Sequence, residues 1–216
     1  MKLQTLILSL AFSLPLAISC TAEEVAPPQV AEPLQAEVGK AAPAFTLKDA
    51  EGVERSLAEF KGKFVVLEWV NFGCPFVKKH YGAGNMQGLQ AEYTGKGVTW
   101  LAICSSAPGK QGYFAGDDLK TQIAERKSAA TFYLTDVEGK VGRMYGAKTT
   151  PHMYVIDPAG ALVYIGGIDD IPSADAEDIP KAKNYVRLAL DAVLAGKPVA
   201  SSSSQPYGCS VKYADK

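Results

Sequence analysis

The chain has 216 residues, a formal net charge of −1 and only two histidines, His80 and His152. That length suits one domain with tails, and the balanced charge offers no electrostatic basis for holding nucleic acid. The four cysteines, Cys20, Cys74, Cys104 and Cys209, are too widely spaced for a metal knuckle, so neither a metal nor a cofactor is expected.

The first twenty residues read as a targeting segment. Lys2 supplies the positive start, and the apolar run from Leu6 to Ser19 is too short to remain as a membrane anchor. Two processing routes stay open. Ala17-Ile18-Ser19-Cys20 resembles a bacterial lipobox, which would make Cys20 the lipidated first residue and the lipid the membrane contact. Ordinary cleavage after Ala22 would instead discard Cys20. Both routes export the protein to the periplasmic side of a bacterial membrane, where disulfides persist. Residues 21–36, rich in Pro, Ala and Glu, read as an extended tether. The folded domain is expected over 37–198, and 199–216 as a flexible serine-rich tail carrying Cys209.

Inside the domain, Phe45 to Leu47 and the segment after Gly52 predict a small N-terminal hairpin. Phe64 to Val70 is a continuous β-prone run, the pattern of a strand buried on both faces. Pro75 suits the first position of a helix running to about Tyr93, with a break among Gly82, Gly84 and Gly88. Val98 to Ile103 predicts a second buried strand, and 117–130 a helix with Asp118 placed to cap it. Met153 to Ile156 and Leu162 to Ile165 flank an Asp157-Pro158-Ala159-Gly160 turn and predict a hairpin. The last helix is expected to start near Pro180, with Tyr185, Val186, Ala189, Leu190, Val193 and Leu194 at helical spacing and Gly196 at its end. The order describes an α/β domain with a mixed central sheet and helices on both faces.

Cys74 carries the chemistry. It stands where a buried strand meets a helix, and free N–H groups with the positive helix end favour a thiolate there. Lys78 and Lys79 would add to this if they face the sulfur. The alternative is an inert, buried structural cysteine. Glu68 is the second notable residue, because a carboxylate inside an apolar strand is costly unless paired or protonated. Alternation places it on one face with Val66 and Val70. It is either a proton relay with a raised pKa or a carboxylate held by a lysine at the sheet end.

Three places carry a family resemblance. These are Gly39-Lys40-Ala41-Ala42-Pro43-Ala44-Phe45 with Leu47, Asp49 and Gly52; the turn Gly73-Cys74-Pro75-Phe76; and Thr149-Thr150-Pro151 before Met153-Tyr154-Val155-Ile156-Asp157. Together they resemble the thioredoxin superfamily in its redoxin, peroxiredoxin-like (AhpC/TSA-type) branch, in an uncharacterised subgroup with a single active-site cysteine and a tail cysteine in Gly208-Cys209-Ser210. The resemblance implies a thioredoxin-like fold with an N-terminal β-hairpin extension. It implies that Pro151 is cis and leaves the Thr150 backbone free to pair with an extended substrate chain, beside Pro75 and Phe76. It also aligns Glu68 with the buried acid of thioredoxins. There are departures. Val77 replaces a second turn cysteine, and Asn71 stands where peroxidases of the branch carry Thr or Ser.

The expected function is a thiol oxidoreductase. Cys74 would act on disulfides or oxidised thiols and be resolved by Cys209 or an external thiol. Its partner would be a thiol- or disulfide-bearing protein or a small thiol. Two alternatives remain open: a one-cysteine peroxidase using Asn71 and backbone N–H donors, and a non-catalytic binding module of the same fold. Cys104 is a second possible partner for Cys74, or for Cys209 in a static staple.

Overall fold

The computed structural model describes residues 35–215, so the targeting segment, Cys20 and nearly all of the tether lie outside the described residues. Nine strands and five α-helices are described. β1 (Thr46–Asp49) and β2 (Glu54–Ser56) form the expected hairpin, followed by a 3-10 turn over Leu57–Phe60. Then come β3 (Val65–Trp69), α1 (Pro75–Gly82), α2 (Asn85–Gly95), β4 (Thr99–Cys104), α3 (Gly116–Glu125), β5 (Phe132–Thr135) and α4 (Lys140–Met144). The chain closes with β6 (Thr149–Thr150), β7 (His152–Ile156), β8 (Leu162–Gly166), α5 (Tyr185–Leu194) and β9 (Cys209–Ser210).

Seven strands make one mixed sheet in the order β2-β1-β5-β4-β3-β7-β8, and β6 and β9 pair separately. The pairs β3–β4 and β4–β5 are parallel, and β3–β7 is antiparallel. Strand alternation divides the core into two layers. Val66, Val70, Trp100, Ala102, Met153 and Val155 pack under α1, α2 and α5 through Val77, Tyr81, Met86, Leu89, Val186 and Leu190. Val65, Leu67, Trp69, Leu101, Ile103 and Ile156 pack on the other face under Phe60 and the α4 residue Val141. Each large apolar side chain removed from water in this way contributes about 1.5–3 kcal/mol. The sheet ends carrying the C-termini of β3 and β4 therefore sit on a rigid base, and the chemistry is built above them.

The helix from Pro75 breaks where expected, at Ala83–Gly84, and Gly84 takes a left-handed φ of 72°. Several other expected elements shift. α3 begins after Ala115, so Asp118 lies inside it and does not cap it, and it ends five residues early. The chain turns at Lys127, a non-glycine residue with φ 51°, and enters β5, a strand the sequence reading did not anticipate. α4 was also not anticipated. It is one turn long, too short to show a period. Pro180 lies in a 3-10 turn over Ala176–Lys181, and the last helix starts at Tyr185, where the Asn184 side chain accepts from the Arg187 N–H. Residues 199–215 are docked on the domain, where the sequence reading expected a flexible tail.

Candidate functional site

The site begins with a short brace at the end of β3. The Asn71 Oδ1 accepts from the Gly73 N–H at 2.8 Å, and its Nδ2 donates to the Gln111 carbonyl at 3.0 Å. Gln111 donates in turn to the Gly73 carbonyl at 3.2 Å. This clamp sets the turn that delivers Cys74 as the N-cap of α1, with Pro75 in the first turn. Asn71 thereby spends its carbonyl oxygen and one of its two N–H donors on the turn itself.

Opposite the turn, the Thr150–Pro151 bond is cis, as the resemblance implied. The Cys74 Sγ contacts the Thr150 carbonyl at 3.1 Å. Thr149 and Thr150 form β6, and its strand partner is β9, with Thr150 opposite Cys209 and Thr149 opposite Ser210. The tail cysteine is thus brought beside Cys74, and each thiol shifts the acidity of the other. All three described cysteines are free thiols.

Electrostatics distinguish the two sulfurs. Burial pushes the Cys74 pKa up. The Cys209 thiol, the Val77 N–H, the Thr150 side chain and the Cys209 N–H outweigh it, and the net pKa is below that of an ordinary thiol. The buried Thr150 hydroxyl has no hydrogen-bond partner, so its proton is available to a thiolate. Neither Lys78 nor Lys79 is among these causes. Lys79 turns away and donates to the Ile171 carbonyl at 3.3 Å. Cys209 is pushed up to about 11, by burial first and then by its neighbour Cys74. Replacing Cys209 by alanine removes the donated S–H, so the thiolate absorbance of Cys74 should appear at higher pH than in wild type. An ultraviolet titration of the reduced proteins checks this, and an unmoved curve would mean that the contact between the sulfurs does not set the acidity.

Cys104 belongs elsewhere. Its Sγ lies 3.4 Å from the Gly112 carbonyl and beside the Tyr133 hydroxyl. The arrangement brings Cys209, not Cys104, to Cys74, and it does not join Cys104 to Cys209. Glu68 is fully buried, and burial raises its pKa to about 7. It accepts from Tyr81 at 3.0 Å, Gln90 at 2.9 Å and the Trp100 indole at 2.8 Å. No lysine holds it, and none of these hydrogen bonds reaches Cys74. His152 is 4 % exposed, not solvent-facing, and lies 3.1 Å from the Tyr154 hydroxyl. Burial drops its pKa to about 4, which keeps it neutral at pH 7.

The sequence reading missed the residues around Tyr207. The Tyr207 hydroxyl donates to Asp169 and lies 3.3 Å from His80 Nε2, and its ring meets Phe76 edge-on at 5.9 Å. Asp169, Lys79 and His80 are all buried polar residues. Lys79 and His80 follow Cys74 by five and six residues on the same helix, which was the one available signal.

The profile of the AhpC/TSA family matches residues 38–165. A thiol-disulfide oxidoreductase ResA from Bacillus thuringiensis is 29% identical over 129 residues, which are 59% of this chain and 68% of that protein. An uncharacterized conserved protein from Geobacillus kaustophilus is 30% identical with a TM-score of 0.71, over 83% of this chain and 94% of that one. A hypothetical protein from Sinorhizobium meliloti is 27% identical with a TM-score of 0.68, over 83% and 96%.

Proposed function

The chain belongs to the AhpC/TSA family, and from that premise we propose that it is a thiol-disulfide oxidoreductase with Cys74 as nucleophile and Cys209 as resolving thiol. The observation that carries the reading is the strand pairing at the cis-proline loop, which sets Cys209 opposite Thr150 while the Cys74 sulfur lies 3.1 Å from the Thr150 carbonyl. The name of the Bacillus relative points the same way. The Cys74 thiolate attacks one sulfur of a disulfide R–S–S–R′. A mixed disulfide forms, and R′–S⁻ leaves and takes a proton from water. The Cys209 thiol then gives up its proton and attacks Cys74, expelling R–S⁻, which takes up a proton. The substrate disulfide gains two electrons, and the protein loses them as its two thiols are oxidised to a Cys74–Cys209 disulfide. In the return direction an external thiolate attacks the Cys209 sulfur, the more exposed of the two. Cys74 departs as the more stable thiolate, and a second external thiol frees Cys209.

Two other features belong to the same proposal. The apolar run from Leu6 to Ser19 supports export, and Cys20 supports a lipid anchor. Intact-mass analysis of membrane-fraction protein should show an N-terminus at Cys20 with acyl mass added. An unmodified N-terminus at Glu23 would remove the anchor.

The direct test of the reaction mixes reduced protein with one equivalent of 5,5′-dithiobis(2-nitrobenzoate). Two thionitrobenzoate anions should be released per protein, and peptide mapping should link Cys74 to Cys209. Rapid consumption of hydrogen peroxide without disulfide exchange would instead favour a peroxidase. Neither reaction would leave a binding module.

A further inference from the structure

The last fourteen described residues form a strap across the site. Ile165 of β8 donates to the Ser202 carbonyl at 3.0 Å, and Ser204 donates back to Ile165 at 3.1 Å. Tyr207 then enters the socket made by Phe76, His80 and Asp169. Cys209 and Ser210 pair with β6. Beyond them Val211 donates to the Lys148 carbonyl at 3.1 Å, and Ala107 donates to the Lys212 carbonyl at 2.8 Å. Tyr213 ends the crossing with its hydroxyl on the Ala147 carbonyl at 2.8 Å and its ring under Arg143.

Two details show that this docking is specific. Gly208 has φ 129°, and a Cβ there would overlap the Thr150 carbonyl oxygen, so the residue before the cysteine must be glycine in this register. Two residues before the cysteine, Tyr207 meets a socket that is polar, not oily. Asn85 donates to His80 Nδ1 at 2.8 Å, which leaves the Nε2 proton for the Tyr207 oxygen, whose own proton goes to Asp169. Lys79 Nζ lies 4.0 Å from the same carboxylate. Buried charges need partners. A socket of Asp169, Lys79 and His80 can be rehydrated when the tyrosine leaves, whereas an apolar socket would hold its plug against water. The tail is therefore held by a contact suited to release.

We propose that the Thr149–Thr150 edge, Phe76 and the Asp169 socket form one binding site for an extended peptide with the pattern tyrosine-glycine-cysteine, and that the tail occupies this site in cis. A cysteine-bearing or disulfide-bearing peptide segment reaches Cys74 by displacing the strap, and segments with a larger residue before the cysteine are rejected by the Thr150 carbonyl. This rests on the proposed thiol-disulfide chemistry for its purpose, but not for its measurement.

The test uses the full-length reduced chain and an unreactive probe, the fluorescein-labelled peptide of residues 203–213 carrying Cys209→Ser. The Tyr207→Phe protein keeps the ring on Phe76 and loses the hydroxyl on Asp169. It should bind the probe about tenfold more tightly than wild type, the scale of one hydrogen bond to a charged acceptor. The backbone amide of Val211 should exchange with deuterium faster by a similar factor. Gly208→Ala protein, whose strap collides with Thr150, should behave in the same way. A probe that also carries Gly208→Ala should bind none of the three proteins. Equal binding to wild type and both variants, or no binding to either variant, overturns the proposal. So does equal binding of the two probes. Because the probe has no cysteine, these outcomes stand whether or not Cys74 exchanges disulfides. Failure of the exchange chemistry would show only in the thionitrobenzoate reaction.

Discussion

Replacing Cys209 by serine should leave one fast reaction per molecule and stop the second. Reduced Cys209→Ser protein mixed with excess 5,5′-dithiobis(2-nitrobenzoate) should release one equivalent of thionitrobenzoate and stay as a mixed disulfide at Cys74. Turnover would then depend on external thiol. Well-oriented neighbours reach effective molarities of about 10⁵–10⁸ M, so even a pair achieving only ~1 M outruns 1 mM thiol by roughly a thousandfold. Cys209 meets that condition through the strand pairing that sets it opposite Thr150 and against the Cys74 sulfur. Cys74→Ser protein should show no fast release at all, since Cys104 is buried on its own carbonyl partner. Stopped-flow absorbance and intact mass check both variants. Two equivalents released from Cys209→Ser protein, at the wild-type rate, would assign resolution to another thiol.

The second large effect concerns stability and pH. Glu68 is 0 % exposed, and burial lifts its pKa to about 7, from an unfolded value near that of free glutamate. The folded chain therefore holds a proton that the unfolded chain releases first. Stability is fully present below the unfolded value, declines as pH rises, and its loss is complete once pH passes the folded value of about 7. With each pKa unit worth about 1.4 kcal/mol, the decline approaches ~3 kcal/mol. Glu68→Gln keeps the size of the side chain and stays neutral. Its amide can donate to the Tyr81 oxygen while its carbonyl accepts from Gln90 and Trp100, the partners that Glu68 has now. Denaturant midpoints should fall between pH 5 and pH 8 for wild type and change far less for Glu68→Gln, so that the variant is the more stable protein at pH 8. Parallel pH dependence in the two proteins would show that Glu68 is ionised throughout, with its three donors outweighing burial.

Much of this molecule was legible in one dimension. The unbroken apolar run of β3 announced a central strand. Cys74 before Pro75 marked a helix start, and Thr149-Thr150-Pro151 marked the loop opposite. Each of these is a local pattern whose conformation depends on a few neighbouring residues. β5 and α4 were not legible, because a four-residue strand and a single helical turn show no period long enough to read. The bracing role of Asn71 was not legible, because Gln111 is brought to it only by the fold. The sequence by itself determined the α/β class, the elements that flank the reactive cysteine, and the presence of a cysteine in the tail. Only the tertiary structure decided which cysteine meets which, that Lys79 turns into a buried socket and not toward the sulfur, and that Tyr207 and Gly208 seat the tail on β6. The physical reason is distance along the chain. Loop-closure entropy changes slowly with length, so chain separation alone does not select among distant partners. That choice is made by the contacts the fold brings together around Thr150 and Asp169.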